Sequence, residues 1–174
     1  MNNMNNTKKM TMAALFMALG LVLPFFTGQI LEIGSMLLPM HIPVLLCGFI
    51  CSWEYGLTVG FIVPIFRSVL FGRPFMMPTA VAMAFELAAY GAVAGLLYQK
   101  LKGKKCGIFV SLVGAMVAGR FLWGVVSIAL FKMIDSVFTW EMFAAGAFLE
   151  AVPGIIVQLI LIPTIVSRLR VARR

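Results

Sequence analysis

Long apolar runs organise this chain, and prolines, glycines and clustered charges separate them. Met10 to Leu31 is wholly uncharged, and Ile33 to Ser52 is the next uncharged run. A membrane-crossing helix needs about 20 mostly apolar residues. On that measure the pattern predicts six helices, at about 10–27, 42–55, 56–71, 79–99, 107–131 and 142–167. Pro24 and Gly28 close the first. Pro39-Met40-His41-Ile42-Pro43 resists regular helix, because residues before proline avoid the α region. The second helix therefore starts near Ile42, after a connection longer than a simple hairpin needs. Gly72-Arg73-Pro74-Phe75-Met76-Met77-Pro78 reads as a loop broken by two prolines. Internal Pro64, Pro153 and Pro163 are tolerated where neighbouring helices take up the freed carbonyls. The expected fold is an all-α integral membrane protein. It is one compact bundle of six transmembrane helices, a single substrate-binding domain over 1–174.

Charge placement orients that bundle. Six spans put both termini on one side, together with the 2–3 and 4–5 turns. That side holds Lys8, Lys9, Lys100, Lys102, Lys104, Lys105, Arg168, Arg170, Arg173 and Arg174 against one acid, Glu54. The opposite loops hold Arg73 and Lys132 against Glu32, Asp135 and Glu141. The positive-inside rule then places both termini in the cytoplasm, in a multi-pass protein of the cell membrane. Five or seven spans would separate Lys8 and Lys9 from the C-terminal arginines.

Composition agrees. Hydrophobic residues make up 62% and charged residues 11%, with mean hydropathy +1.04. A soluble domain is nearer half apolar and a quarter charged. The net charge of +8 would suggest nucleic acid in a soluble protein; its one-sided placement explains it without any. The basic N-terminus resembles the start of a signal peptide, but no small-residue cleavage site follows, so it reads as a retained first span. Cys47, Cys51 and Cys106 sit in or beside apolar segments and read as small apolar filler rather than metal or redox groups.

Four ionisable residues remain within helices 3 to 6: Arg67, Glu86, Arg120 and Glu150. Charges in a bilayer are costly and persist where they pair, face water or bind something. All four fall in the outer half or near the midplane, which suggests one polar chamber open to the outside. At helical spacing, Arg120, Trp123, Gly124 and Ser127 share a face, as do Thr79, Met83, Glu86 and Tyr90, and Glu150, Gly154 and Gln158. An arginine fork beside an aromatic plate suits a small planar or carboxylate-bearing ligand. The alternative is a pair of buried Arg–Glu contacts that only fix helix packing. His41, at the outer mouth, either meets ligand or caps helix 2. Gln29 and Glu32 lie in the long first outer loop, placed to close over the chamber. Trp53, Tyr55, Tyr98 and Trp140 read as interface belt residues. Gly56-xxx-Gly60 and Gly91-xxx-Gly95 allow close helix approach, and Ala14-xxx-Ala18 marks a contact surface on helix 1.

Nothing matches GxxxxGK[ST], HExxH or GxSxG, and there is one histidine. No catalytic residues, cofactor or metal are therefore expected, and transport driven by ATP would need another protein's ATP site. A proton-coupled carrier using Glu86 or Glu150, or a purely structural membrane protein, stand as the alternatives.

The chain resembles the substrate-binding S components of energy-coupling factor (ECF) vitamin importers. The resemblance rests on the basic N-terminus followed by Thr11-Met12-Ala13-Ala14-Leu15-Phe16-Met17-Ala18, and on Leu38-Pro39-Met40-His41-Ile42-Pro43. Gly60 with Pro64, Gly72-Arg73-Pro74 through Pro78, and Glu86-Leu87 with Tyr90-Gly91 complete it. It implies an outward-facing ligand site gated by the first loop. It also implies that the Ala14 and Ala18 surface docks a transmembrane coupling subunit driven by two cytosolic ATPases, and that the S component topples to release its ligand inside. On this reading Arg67, Glu86, Arg120, Trp123, Glu150, His41, Gln29 and Tyr90 are the substrate-binding candidates. Two arginines favour an anionic ligand, such as pantothenate or another carboxylated vitamin or precursor. The two glutamates either neutralise them or bind an amine on the same ligand.

Overall fold

The computed structural model describes residues 5–27, 37–102, 104, 106–133, 139, 141 and 151–172. The elements among them are all helical. They are α1 (Asn6–Thr27), α2 (His41–Ile50), α3 (Trp53–Phe71), α4 (Val81–Lys100), α5 (Gly107–Met133) and α6 (Val152–Ala172). A short turn, Met76–Ala80, with Met77 in extended backbone, leads into α4. Five of these helices are long and apolar enough to cross a membrane, α4 being counted together with that turn. The predicted start of the sixth helix, near Met142, lies outside the described residues.

The second helix differs from expectation. It was expected over 42–55, but it ends at Ile50, and α3 begins at Trp53 rather than Gly56. Ser52 joins them with extended backbone at φ 165° and ψ 175°. Ser52 makes no side-chain cap hydrogen bond, and the start of α3 is favoured instead by Glu54 in its first turn, which meets the positive end of the helix dipole. At ten residues α2 is about 15 Å long, half the hydrocarbon thickness. Every residue of α2 except Ile42 is buried. A helix apolar on all sides belongs in a core, and α2 packs against α1, α3, α4 and α6.

Glycine sets how closely the inner helices meet. A Cβ at Gly56 would stand 2.7 Å from the Gly91 carbonyl oxygen and 2.8 Å from the Gly48 Cα. Gly48 and Gly91 are in the same position, each facing the other helix's backbone. The expected small-residue contacts of α3 and α4 are therefore real, and α2 joins them through Gly48. Gly72 has a different reason. It ends α3 at φ 69°, with open space where a Cβ would be, so backbone conformation and not crowding selects it.

The outer surface is apolar. Phe26, Val69, Val117, Phe121, Ile128 and Ile160 are all exposed, as expected of side chains that meet lipid. Tyr98 was read as an interface residue, but it is buried, edge-on to Phe49 with ring centroids 5.2 Å apart. Its place on α4 opposite the buried α2 draws it inward.

Candidate functional site

Three helices bring their polar residues to one point. Glu86 and Tyr90 lie one turn apart on α4, His41 opens α2, and Arg120 comes from α5. The Arg120 Nη1 is 2.8 Å from the Glu86 Oε1, and the His41 Nε2 is 3.6 Å from the same oxygen. The arginine contact is a short ion pair between buried side chains. The Tyr90 ring stands edge-on to His41 at 5.0 Å. Gly119, beside Arg120, lets the Tyr90 ring lie directly against α5. The levels match along the bundle. At about 1.5 Å per residue, Glu86 is about 21 Å from Lys100 and Arg120 about 20 Å from Gly107.

This cluster is almost closed to solvent. His41 and Glu86 are 1% and 2% exposed, and Arg120 is 12% exposed. Among the described residues, both ring nitrogens of His41 and the Nε and Nη2 of Arg120 have no hydrogen-bond partner. Gln158, fully buried on α6, likewise has none for its amide oxygen or nitrogen. An unsatisfied buried polar group costs about 1–3 kcal/mol, and more if charged. A bundle meant only to hold together would fill these positions with apolar side chains at less cost. The arrangement instead offers hydrogen-bond donors and acceptors, within apolar walls, to a small polar guest.

Arg67 is not brought to this point. Its Nη1 donates to the Leu21 carbonyl oxygen at 2.6 Å, and its guanidinium lies over Phe25 at 4.7 Å and Phe71 at 5.5 Å. Pro24 leaves the Gly20 carbonyl without its N–H partner, and Arg67 donates to the next carbonyl along α1, that of Leu21. No sequence pattern foretells a side chain that answers a backbone carbonyl on another helix. Trp123 is partly buried, one turn beyond Arg120 on α5. Gln29 and Glu150 lie outside the described residues. Ala14 and Ala18 are both exposed on α1, while Ala13, Phe16 and Gly20 turn inward.

A small cleft of about 50 Å³ lies away from the cluster, at the basic end of the bundle. Lys9, Ser52, Tyr98, Gln99 and Lys102 are among the residues lining it. It holds none of the unpaired buried groups, so the candidate site is the closed ionic cluster. Among the described residues, no group of His, Cys, Asp and Glu is arranged to hold a metal ion.

A family model described as "ECF transporter, substrate-specific component" matches residues 8–166, which is most of the chain. Comparisons with curated proteins and with solved structures returned no match.

Proposed function

We propose that this chain, which belongs to the family of ECF transporter substrate-specific components, captures a small vitamin or vitamin precursor and hands it to the cytoplasm. Membership makes it a subunit of a transporter rather than an enzyme. The finer reading is our own. The solute binds in the layer of His41, Glu86, Tyr90 and Arg120, reached from the outer face of the cell membrane. Trp123 borders that layer, Gln29 and Glu150 are proposed to serve its outer mouth, and Arg67 is proposed to brace α1 rather than to touch the solute. On our reading the bundle crosses the membrane six times, with the short, buried α2 as the core of one crossing, and keeps both termini in the cytoplasm. A transmembrane coupling subunit docks on α1 at Ala14 and Ala18, and two cytosolic ATPases drive the cycle.

The observation that carries this reading is the ionic cluster itself: charged and polar groups, buried and incompletely paired, in a bundle otherwise apolar. Intramembrane ionisable residues of this kind mark substrate pathways. The exposed small side chains of α1 support the docking role, since they permit close helix approach.

The test is uptake by proteoliposomes holding the full chain, with and without the coupling subunit and ATPases. The internal solute is identified by mass spectrometry from a vitamin mixture. Accumulation that requires ATP and all subunits is expected. Accumulation by the chain alone, following a proton gradient, would make it a self-sufficient carrier. No accumulation and no bound solute would leave a structural protein.

A further inference from the structure

The guanidinium of Arg120 meets Glu86 and the Tyr90 hydroxyl, and two of its nitrogens are left over. Its Nη1 faces Glu86 at 2.8 Å. The Nε and Nη2 are buried without hydrogen-bond partners among the described residues. These two nitrogens share one edge of the planar group, and their N–H bonds run parallel. That edge is the fork that a carboxylate accepts with both oxygens. Glu86 neutralises Arg120 from the Nη1 side, keeps the charge tolerable in the bundle, and leaves the fork unspent.

A second unpaired group lies on α6. Gln158 sits in the middle of the buried stripe of that helix, in line with Ala151, Gly154, Ile162 and Val166. The α6 helix packs against both α2 and α5, the helices of His41 and Arg120. The amide of Gln158 is fully buried, and neither its donor nor its acceptor is matched among the described residues. A primary amide is best answered by a group that both donates and accepts, such as an amide or a hydroxyl. An isolated ammonium or an apolar ring leaves half of it unpaired.

We infer that the solute is a small carboxylate that also carries an uncharged amide or hydroxyl group. Its carboxylate lies on the Nε/Nη2 edge of Arg120, and its amide or hydroxyl meets Gln158. This rests on the reading of the ionic cluster as the solute site. It narrows that reading from vitamin-like solutes in general to anionic ones. It also settles the role of Glu86, which holds Arg120 and does not bind a ligand amine.

The experiment is a thermal-shift and titration series on the full chain in nanodiscs. The probes are matched pairs, pantothenate with panthenol and biotin with biotinamide, with thiamine and riboflavin beside them. One carboxylate is expected to stabilise the protein and to bind about 100-fold more tightly than its uncharged partner. With that carboxylate, Arg120→Lys, which keeps a cation opposite Glu86 but loses the fork, is expected to weaken binding at least about 30-fold. Gln158→Leu is expected to weaken it about tenfold and to raise the melting temperature of the empty protein, because a bare buried amide is removed. Equal binding of an uncharged partner, or binding of thiamine or riboflavin alone, would overturn the inference and spare the site. A Gln158→Leu protein that melts lower when empty and binds as wild type would overturn the role of Gln158. No stabilisation by any probe would overturn both the inference and the reading beneath it.

Discussion

Two regions of the bundle are built on opposite terms. Where α2, α3 and α4 meet at Gly48, Gly56 and Gly91, backbone touches backbone and no polar side chain intervenes. A few ångströms of side chain would force these helices apart. Where α2, α4 and α5 meet at His41, Glu86 and Arg120, the helices enclose charged side chains whose hydrogen-bonding capacity is only partly used. The first region spends its interior on close packing, and the second spends it on polar groups that close packing alone would exclude. The contrast assigns rigidity to one and binding to the other: α2 and α4 pass through both, so the glycine seam fixes the helices that carry His41, Glu86 and Tyr90.

The largest effect should come from filling the seam. In Gly91→Leu the new Cβ meets the Gly56 carbonyl, which is backbone and unable to step aside. Overpacking costs about 1–3 kcal/mol where side chains give way, and more where they do not. The expected result is loss of the monodisperse folded protein in detergent. A variant that purifies and melts like wild type would show that the seam is not the rigid part.

Next comes the ion pair. Glu86→Ala strands a buried guanidinium and should destabilise by about 3–5 kcal/mol. The double variant Glu86→Leu with Arg120→Met removes both charges and should recover stability to within about 1 kcal/mol of wild type. It should bind no solute. Recovery of stability together with retained binding would sever the link between the ionic layer and function.

Arg67 sharpens the comparison, because it is a buried cation spent on structure. Arg67→Met removes the donor to Leu21 and the contacts with Phe25 and Phe71. The expected cost is about 2 kcal/mol, read as a lower melting temperature. Solute affinity should stay within about threefold of wild type if the arginine acts only through α1, whereas a hundredfold loss would place it at the site.

These differences explain what the sequence made legible. Glu86 and Arg120 stood out because any charge in an apolar helix needs a reason. The paired glycines of α3 and α4 stood out because their spacing repeats one helix face. The break at Ser52 was hidden because Cys51-Ser52-Trp53 continues an uncharged run. The partner of Arg67 was hidden because it is a carbonyl 46 residues away, which every residue type possesses. Gln158 was visible as a polar position on the inner face of helix 6, but its lack of partners belongs to the packing. Sequence signals chemistry that is rare among side chains. It is silent on chemistry supplied by backbone.

The smallest effect on stability should accompany the largest on transport. Ala14 is exposed on α1, away from both the seam and the ionic layer. Replacing it with tryptophan adds bulk where nothing in the bundle is met, so the melting temperature should shift by less than about 0.5 kcal/mol equivalent. Solute binding should also be unchanged, since α1 packs mainly on α2 and α3 among the described residues and carries none of the cluster side chains. A coupling helix that must lie close against Ala14 and Ala18 would be held off, and ATP-dependent uptake in the complete transporter should stop. The variant is read by three measurements on one preparation: melting, solute titration and uptake. Normal uptake would remove α1 as the docking face. Loss of binding together with uptake would mean that α1 shapes the solute site, and the separation of a capturing core from a docking surface would fail.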